Sequence, residues 1–169
     1  MAVRMLDSGR SRVSILTTKP SNIGAPTTTE LNAGFYASPF IPKSSWTWAA
    51  SDPNTVTDTD IEKTFDQEVP TTDQYDLKLG IYRDFLAGGG FDTAGANELC
   101  FQALKVKGTT VYIYVRKTDK LSTAAWASTD EIYLGGAVMT GTPKALSEGN
   151  IKYEIPLFPV DIRAFIAVA

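Results

Sequence analysis

Apolar and polar residues alternate along several segments of the chain with the two-residue period of a β-strand. The clearest examples are residues 76–85 (DLKLGIYRDF) and 109–117 (TTVYIYVRK). Residues 130–141 and 150–169 are also rich in β-forming residues, and turn-forming residues separate these segments. Successive side chains of a strand point to opposite faces, so this alternation predicts half-buried strands. Strands at such regular spacing predict a mainly β fold, an antiparallel β-sandwich or barrel.

One segment, residues 92–108 (DTAGANELCFQALKVKG), follows the helical period instead. Its apolar residues recur at three- and four-residue intervals, Asp92 or Thr93 can cap the start, and Gly108 can end the helix. The segment predicts about three turns of amphipathic α-helix flanking one face of the sheet. Cys100 lies on the apolar face, and we expect it to be buried packing rather than a reactive thiol.

The segment PTTTELNAG, residues 26–34, predicts a single short helical turn before an extended stretch. Thr27 and Glu30 have the three-residue spacing of a capping box, in which each side chain accepts a hydrogen bond from the other residue's backbone N–H. Gly34 can adopt the left-handed conformation that ends a helix.

Residues 35–60 interrupt the strand pattern. Their apolar residues include Phe40, Ile41, Trp46 and Trp48, interrupted by three prolines. Proline cannot donate to the ladder of a central strand, so we predict a loop or arm at about residues 35–60. Two alternatives are open: the tryptophans pack into the domain's own core, or the arm docks onto another subunit. We expect a second arm at the N-terminus, over residues 1–12.

Composition narrows the class of protein. With 169 residues, 43% hydrophobic and 21% charged, the chain has the size and balance of one globular domain. The net charge of −3 shows no basic excess for phosphate binding. Histidine is absent and there is one cysteine, which removes the commonest general base and metal ligand. We predict no catalytic residue, cofactor or metal, and no membrane-crossing segment.

The early PTTTELNAG segment, followed by an extended stretch, resembles the start of the major tail proteins (tail tube proteins) of long, non-contractile-tailed bacteriophages. The later order of elements is also similar: a strand, a helix at ANELCFQALKVKG, the strand TTVYIYVRK, and the strand-rich end IKYEIPLFPVDIRAFIAVA. The resemblance covers most of the chain.

The resemblance implies a tail-tube-like β-sandwich or barrel with one flanking helix, in a single domain spanning residues 1–169. It implies hexameric rings that stack into a hollow tube in the virion, after assembly in the host cytoplasm. The implied partners are identical copies, the tape measure protein in the lumen, tail terminator and tail-tip proteins, and double-stranded DNA that passes through transiently. It implies no membrane binding by this chain.

Assembly into a tube suggests roles for particular residues. Open strand edges can pair with a neighbouring subunit, and we expect such edges around residues 60–67, 76–85 and 109–116. An acidic bore would repel DNA phosphates; its candidates are Asp58, Asp60, Glu62, Asp66 and Glu68. The candidate inter-subunit contacts are Phe40, Ile41, Trp46, Trp48, Phe165 and Ile166.

Other classes of protein are compatible with the same sequence. The first alternative is another virion structural protein, namely a tail terminator, head–tail joining or decoration protein. A tube protein of a type VI secretion system is another, because the resemblance implies a shared fold. A carbohydrate-binding β-sandwich would use Trp46, Trp48 and Trp126 as stacking platforms.

Overall fold

The computed structural model describes residues 8–58, 61, 66–147 and 149–169. Within them the chain is mainly β, as the alternation predicts, with a flanking α-helix. The strands are β1 (Ser11–Leu16), β2 (Phe35–Tyr36), β3 (Trp46–Asp58), β4 (Gln67–Tyr82), β5 (Thr110–Lys117), β6 (Glu131–Thr140), β7 (Lys144–Leu146) and β8 (Lys152–Ala167). The helices are α1 (Thr28–Ala33) and α2 (Ala96–Leu104), with 3₁₀ turns at Ser38–Phe40 and Lys43–Ser45.

The strands form one antiparallel sheet in the order β2-β1-β5-β6-β8-β4-β3, and β7 also pairs with β8. The long strand β8 belongs to both halves of this sheet. Its residues 152–156 pair with β4, whereas residues 157–167 pair with β6. The two halves therefore meet along a single shared strand.

The main core lies between the two halves of the sheet and under α2. The inward residues alternate along their strands, as predicted, and Leu79 and Ile81 of β4 are fully buried. From the other half, β5 contributes Val111, Ile113 and Val115 to the same hydrophobic cluster. Removing this apolar surface from water is the main source of the fold's stability.

Helix α2 begins later than the sequence suggests. Its N-cap is Gly95, which makes no side-chain capping bond, rather than Asp92 or Thr93. Asp92 instead accepts a hydrogen bond from the backbone N–H of Gly95 through Oδ1, at 3.2 Å. The apolar face of α2 packs into the core and buries Cys100 as expected.

Helix α1 has the predicted capping box. The Thr27 hydroxyl accepts from the Glu30 N–H at 3.2 Å, and a Glu30 carboxylate oxygen accepts from the Thr27 N–H at 2.8 Å. Gly34 ends the helix, but in the extended region at φ −71° rather than in the left-handed one. A Cβ at Gly34 would lie 2.9 Å from the Ile15 carbonyl oxygen. Glycine is therefore required by the close approach of β1, not by a left-handed turn.

The segment expected to be a loop or arm, residues 35–60, is largely regular structure. It contains β2, both 3₁₀ turns and the 13-residue strand β3. Pro53 is accommodated because β3 is the last strand of the sheet and its register shifts between Ser51 and Asn54. The expected N-terminal arm, residues 1–12, overlaps β1 at its last two residues, and residues 1–7 lie outside the described residues.

One of the three expected open edges is paired on both sides, since β5 lies between β1 and β6. A second is paired on both sides only in part: Lys78 and Leu79 of β4 pair with both β3 and β8, whereas residues 80–82 pair with β8 and not with β3. The third expected edge, residues 60–67, lies largely outside the described residues. Alternation identifies a strand but does not reveal its position in the sheet, because central and edge strands share the same period.

Candidate assembly surfaces

Strands β3 and β4 continue beyond the sheet as a two-stranded ribbon, formed by residues 51–58 and 67–74. Pairing between β4 and β8 stops at Lys78, and beyond it β4 pairs with β3 alone. Residues 51–57 and 66–74 are all exposed. Val56 and Val69 face each other in the ladder and remain 55% and 42% exposed. A lone two-stranded ribbon is only marginally stable in water. Contact with a partner surface would therefore stabilise this ribbon.

Three of the candidate acids, Asp58, Asp66 and Glu68, lie at the far end of this ribbon. Asp58 ends β3 and pairs with Gln67, while Thr57 pairs with Glu68. Asp66 and Glu68 are exposed. The remaining two candidates, Asp60 and Glu62, lie outside the described residues.

A second open surface runs along β8. Strand β6, and β7 after it, pair with one edge of β8, whereas β4 pairs with the opposite edge only as far as Pro156. In the described part of the chain, no strand pairs with that opposite edge over residues 157–167. One side chain does contact this stretch: the Tyr75 hydroxyl donates a hydrogen bond to the Ile162 carbonyl at 3.4 Å. The exposed side chains on this stretch include Phe158, Val160 and Phe165. Free backbone groups beside exposed apolar side chains suit strand addition.

Phe165 has an unusual backbone conformation on this strand. Its φ is +51°, the left-handed region that bulky residues rarely adopt. Its ring is 66% exposed and meets Tyr133 edge to face at 5.7 Å between centroids. The strained backbone thus holds a large apolar side chain at the surface. Its neighbour Ile166 is half-buried against a second hydrophobic cluster, which contains Leu31, Tyr114 and Trp126.

The other candidate contact residues lie on the chain's own core. Trp48 is 3% exposed, and its Nε1 donates to the Leu134 carbonyl at 3.0 Å. Trp46 stacks on Trp48 with 5.6 Å between ring centroids and is partly buried, as are Phe40 and Ile41. In this chain the tryptophan pair therefore packs internally, and a role in contacts between subunits stays a prediction.

Trp126 is also buried in the chain's interior. It is 4% exposed, and its Nε1 donates to the Ser14 hydroxyl at 2.7 Å. With Trp48 buried as well, two of the three tryptophans needed as carbohydrate platforms have no free face. The structure thus gives the carbohydrate-binding alternative no support.

Two groups of buried charges, around Glu98 and around Asp130, form structural ion pairs. Arg83 binds both carboxylate oxygens of Glu98 at 2.6 Å and ties α2 to the end of β4. Asp130 is bound by Arg116 at 2.7 Å and by Lys120. Burial alone would raise the pKa of Asp130, but hydrogen bonds from Lys120, the Ala127 backbone and Arg116 outweigh it and lower that pKa. These groups hold loops and helices in place.

Reactive groups are scarce in the described residues. No cluster of three or more His, Cys, Asp or Glu side chains that could hold a metal ion occurs among them. Burial raises the pKa of Cys100 to about 12, so its thiol is protonated at neutral pH. None of the helices in the described ranges is long and apolar enough to cross a membrane.

One surface is not evident from the sequence pattern, a recess of about 390 Å³ where β4 ends. We call it the β4-end recess. Its lining combines the exposed apolar side chains of Phe85 and Ile151 with the polar side chains of Asp84, Asn97 and Asn150. The sequence contains one indication of this surface, the segment FLAGGGF at residues 85–91, in which apolar residues flank three glycines. The glycines by themselves indicate only a connecting loop. The sequence does not reveal that Phe85 and Ile151 line the same recess, because tertiary structure brings them together.

A β-rich subunit with an unpaired strand edge, a ribbon that lacks a core and exposed aromatic side chains has the features of a structural, assembly-forming protein. The family model described as phage tail tube protein matches residues 1–162. The chain therefore belongs to the phage tail tube protein family and is a structural component of a phage tail. Among curated proteins, none matches the chain.

Proposed function

We propose that this chain forms hexameric rings that stack into the hollow tail tube through which phage DNA leaves the virion. Family membership supports a structural tail tube role, and the β3–β4 ribbon is the observation that carries the finer proposal. Among the described residues, the two strands of its exposed half pair with each other and with no further strand, and they add nothing to either hydrophobic cluster. Contact with another subunit would bury the side chains that the ribbon exposes in the single chain.

Each subunit offers two different sheet edges for ring formation. One is the outer edge of β3, which pairs only with β4, and the other is the free edge of residues 157–167 in β8. Pairing the β3 edge of one copy with the β8 edge of the next would continue the sheet from subunit to subunit. A contact between two unlike surfaces closes into a ring when the rotation permits. Phe165, Ile166 and the partly buried Phe40, Ile41 and Trp46 would lie near such contacts, with Trp48 supporting them from the core.

In the proposed tube, the acids of the ribbon end face the bore. Six copies would repeat the same carboxylates around the channel: Asp58, Asp60, Glu62, Asp66 and Glu68. Carboxylates repel DNA phosphates and prevent the counterion release that strengthens binding to lysine-lined surfaces. The bore would therefore let DNA pass without retaining it.

The remaining partners follow from the same proposal. The tape measure protein would fill the lumen before DNA is released, and tail terminator and tail-tip proteins would cap the two ends of the tube. The subunits would assemble in the host cytoplasm before they become part of the virion.

Electron microscopy of the concentrated purified protein tests the proposal. We expect ring or tube particles with a central channel and sixfold symmetry in class averages. In solution, the average particle mass should rise with protein concentration. A matched control is a chain whose ribbon is replaced by a short turn, which should remain folded but not form tubes. A wild-type protein that stays monomeric at high concentration would overturn the proposal.

A further inference from the structure

One loop of the molecule is fastened to the sheet by arginine side chains rather than by apolar contacts. Residues 118–125, which we call the strap, follow β5 and contribute no side chain to either hydrophobic cluster. Arg12 of β1 and Arg116 of β5 donate hydrogen bonds of 2.9–3.4 Å to five consecutive strap carbonyls. These carbonyls belong to Leu121, Ser122, Thr123, Ala124 and Ala125. The two guanidinium groups therefore determine the path of the strap.

The strap also contacts residues 9–12 at the start of β1. The Ser122 N–H donates to the Gly9 carbonyl at 2.9 Å, and the Arg10 guanidinium donates to the Asp119 carbonyl. The Tyr36 hydroxyl of β2 donates to the Ser122 hydroxyl at 3.1 Å. A segment that is held by polar contacts and buries few apolar groups belongs to the least stable part of a fold. The strap can therefore leave the sheet without exposing a residue of either hydrophobic cluster.

The cations beneath the strap outnumber the carboxylates that contact them. Arg12 is 7% and Arg116 0% exposed, and Lys120 of the strap lies beside them. In the part of the chain that the structure describes, Asp130 is the carboxylate of this group; it binds Arg116 at 2.7 Å and Lys120 through its other oxygen. A further titratable group, Tyr36, has its ring centroid 4.5 Å from the Arg12 guanidinium. Three cations thus share one carboxylate, and burial together with repulsion from Arg116 lowers the pKa of Arg12.

Two buried donors beneath the strap also remain unpaired. The Nε atoms of Arg12 and Arg116 are buried and have no hydrogen-bond partner among the described residues. An unpaired buried donor costs free energy, and like charges repel more strongly where water is excluded. The closed position of the strap is therefore maintained against an electrostatic cost, and it depends on the negative charge of Asp130.

We propose that the strap is an acid-released element, closed while Asp130 is ionised and open once that carboxylate is protonated. Protonation removes the counter-charge of Arg116 and breaks the ion pair between Lys120 and Asp130, so repulsion among the cations is no longer opposed. The strap then moves about its two ends and releases residues 9–12, while both hydrophobic clusters stay packed. The proposal concerns the single subunit and does not depend on the proposed tube.

The contacts of Asp130 give the direction of the pH dependence. Burial would raise the pKa of Asp130, but hydrogen bonds from Lys120, the Ala127 backbone and Arg116 lower it below its ordinary value of 3.8. A lowered folded-state pKa stabilises the closed strap above pH 3.8, and this contribution is lost as the pH falls through the folded-state value. The strap should therefore open in acid, below pH 3.8.

The substitution Asp130→Asn tests the proposal at neutral pH, because the amide has the shape of a protonated carboxyl group and carries no charge. Hydrogen exchange of residues 118–125 and 9–12 should become about a hundredfold faster, the scale of a buried ion pair that loses one partner. Exchange in β6 and α2 should not change. Asp119→Asn is the matched control, since Asp119 is exposed in the same loop. Unchanged exchange in the strap overturns the proposal, and so does an equal increase throughout the chain.

The substitution Lys120→Gln, made in two backgrounds, separates charge repulsion from lost packing. In the wild-type chain it removes the ion pair with Asp130 and should speed exchange of the strap. In the Asp130→Asn chain it removes a cation that has lost its counter-charge, so exchange should become slower. An effect of the same sign in both backgrounds overturns the proposal.

A pepsin pulse above and below pH 3.8 tests acid release in the unaltered protein, and it decides the matter if Asp130→Asn does not fold. Leu121 is 58% exposed and gives pepsin an apolar cleavage site within the strap. Cleavage mapped to Leu121 should rise below pH 3.8 while circular dichroism still shows the folded sheet. Glu30 also has a lowered pKa, so the position of cleavage, rather than overall stability, is the readout. A strap that resists pepsin until the sheet itself unfolds overturns the proposal.

Discussion

The indole Nε1 of Trp48 donates a hydrogen bond to the carbonyl oxygen of Leu134 at 3.0 Å, linking β3 to β6 across the core. These strands lie in different halves of the sheet. The bond therefore connects the base of the projecting ribbon to the strand that pairs with β8.

Replacing Trp48 with phenylalanine should destabilise the isolated subunit by about 1–3 kcal/mol, since a buried hydrogen bond and part of a buried ring are lost. Urea denaturation below the assembly concentration measures this loss. Trp46→Phe is the matched control and should cost less, because Trp46 is only partly buried. An unchanged free energy of unfolding for Trp48→Phe, with assembly abolished, would place Trp48 at a subunit contact instead.

Shortening the ribbon should separate folding from assembly. Ser51 and Gln74 face each other in the ladder, so residues 52–73 can be replaced by Asn-Gly, which favours a two-residue hairpin turn. The shortened chain should keep the wild-type melting temperature within a few degrees, because those deleted residues that the structure describes lie outside both hydrophobic clusters. Electron microscopy should show no tubes. A chain that unfolds would reveal a stabilising role for the ribbon that its exposure does not suggest.

Reversing charge at the ribbon end should change how tubes interact with DNA. In tubes of the Asp66→Lys, Glu68→Lys double variant, DNA should be retained at low salt and released as salt rises. The matched control is Asp119→Lys with Glu131→Lys, since both residues are exposed and lie away from the ribbon. A filter-binding assay over a salt series compares the two. Equal retention by both variants would remove Asp66 and Glu68 from the bore.

The capping box of α1 should make stability depend on pH. Hydrogen bonds from the backbone N–H groups of Ser21 and Thr27 lower the pKa of Glu30 from 4.5 to about 2. A lowered folded-state pKa stabilises the fold above pH 4.5, and this contribution disappears as the pH falls toward 2. Glu30→Gln should therefore reduce stability most at neutral pH and progressively less in acid. Thermal melts of both proteins across this range measure the difference, and a constant gap would contradict the assignment.

The Thr27 side of the same box offers an independent check. Thr27→Ala should cost about 1 kcal/mol, the usual effect of losing an N-cap. Thr29→Ala is the control, because Thr29 is an exposed position inside the same helix. Equal losses in urea denaturation would show that helix propensity, rather than the cap, accounts for the change.

Several features were predictable because local chemistry determines them. The alternation in β4 and β5, the period of α2 and the Thr27–Glu30 spacing depend only on neighbours in the sequence. The resemblance to tail tube proteins could likewise be found from short segments in their order. The candidate acids were visible as a run, but the place of Asp58, Asp66 and Glu68 at the end of a ribbon depended on knowing that β3 pairs with β4.

Sequence alone determined the class of fold, the strong local elements and the kind of protein, because period, capping and composition act over a few residues. Tertiary structure decided which strands became edges, that Trp48 packs inward, and that Asn97 meets Phe85 and Ile151 at one recess. It also required Gly136, where an added Cβ would lie 1.9 Å from the Asp161 carbonyl oxygen. Such relationships join residues far apart in the chain, and they arise only when one sheet packs its two halves around a shared core.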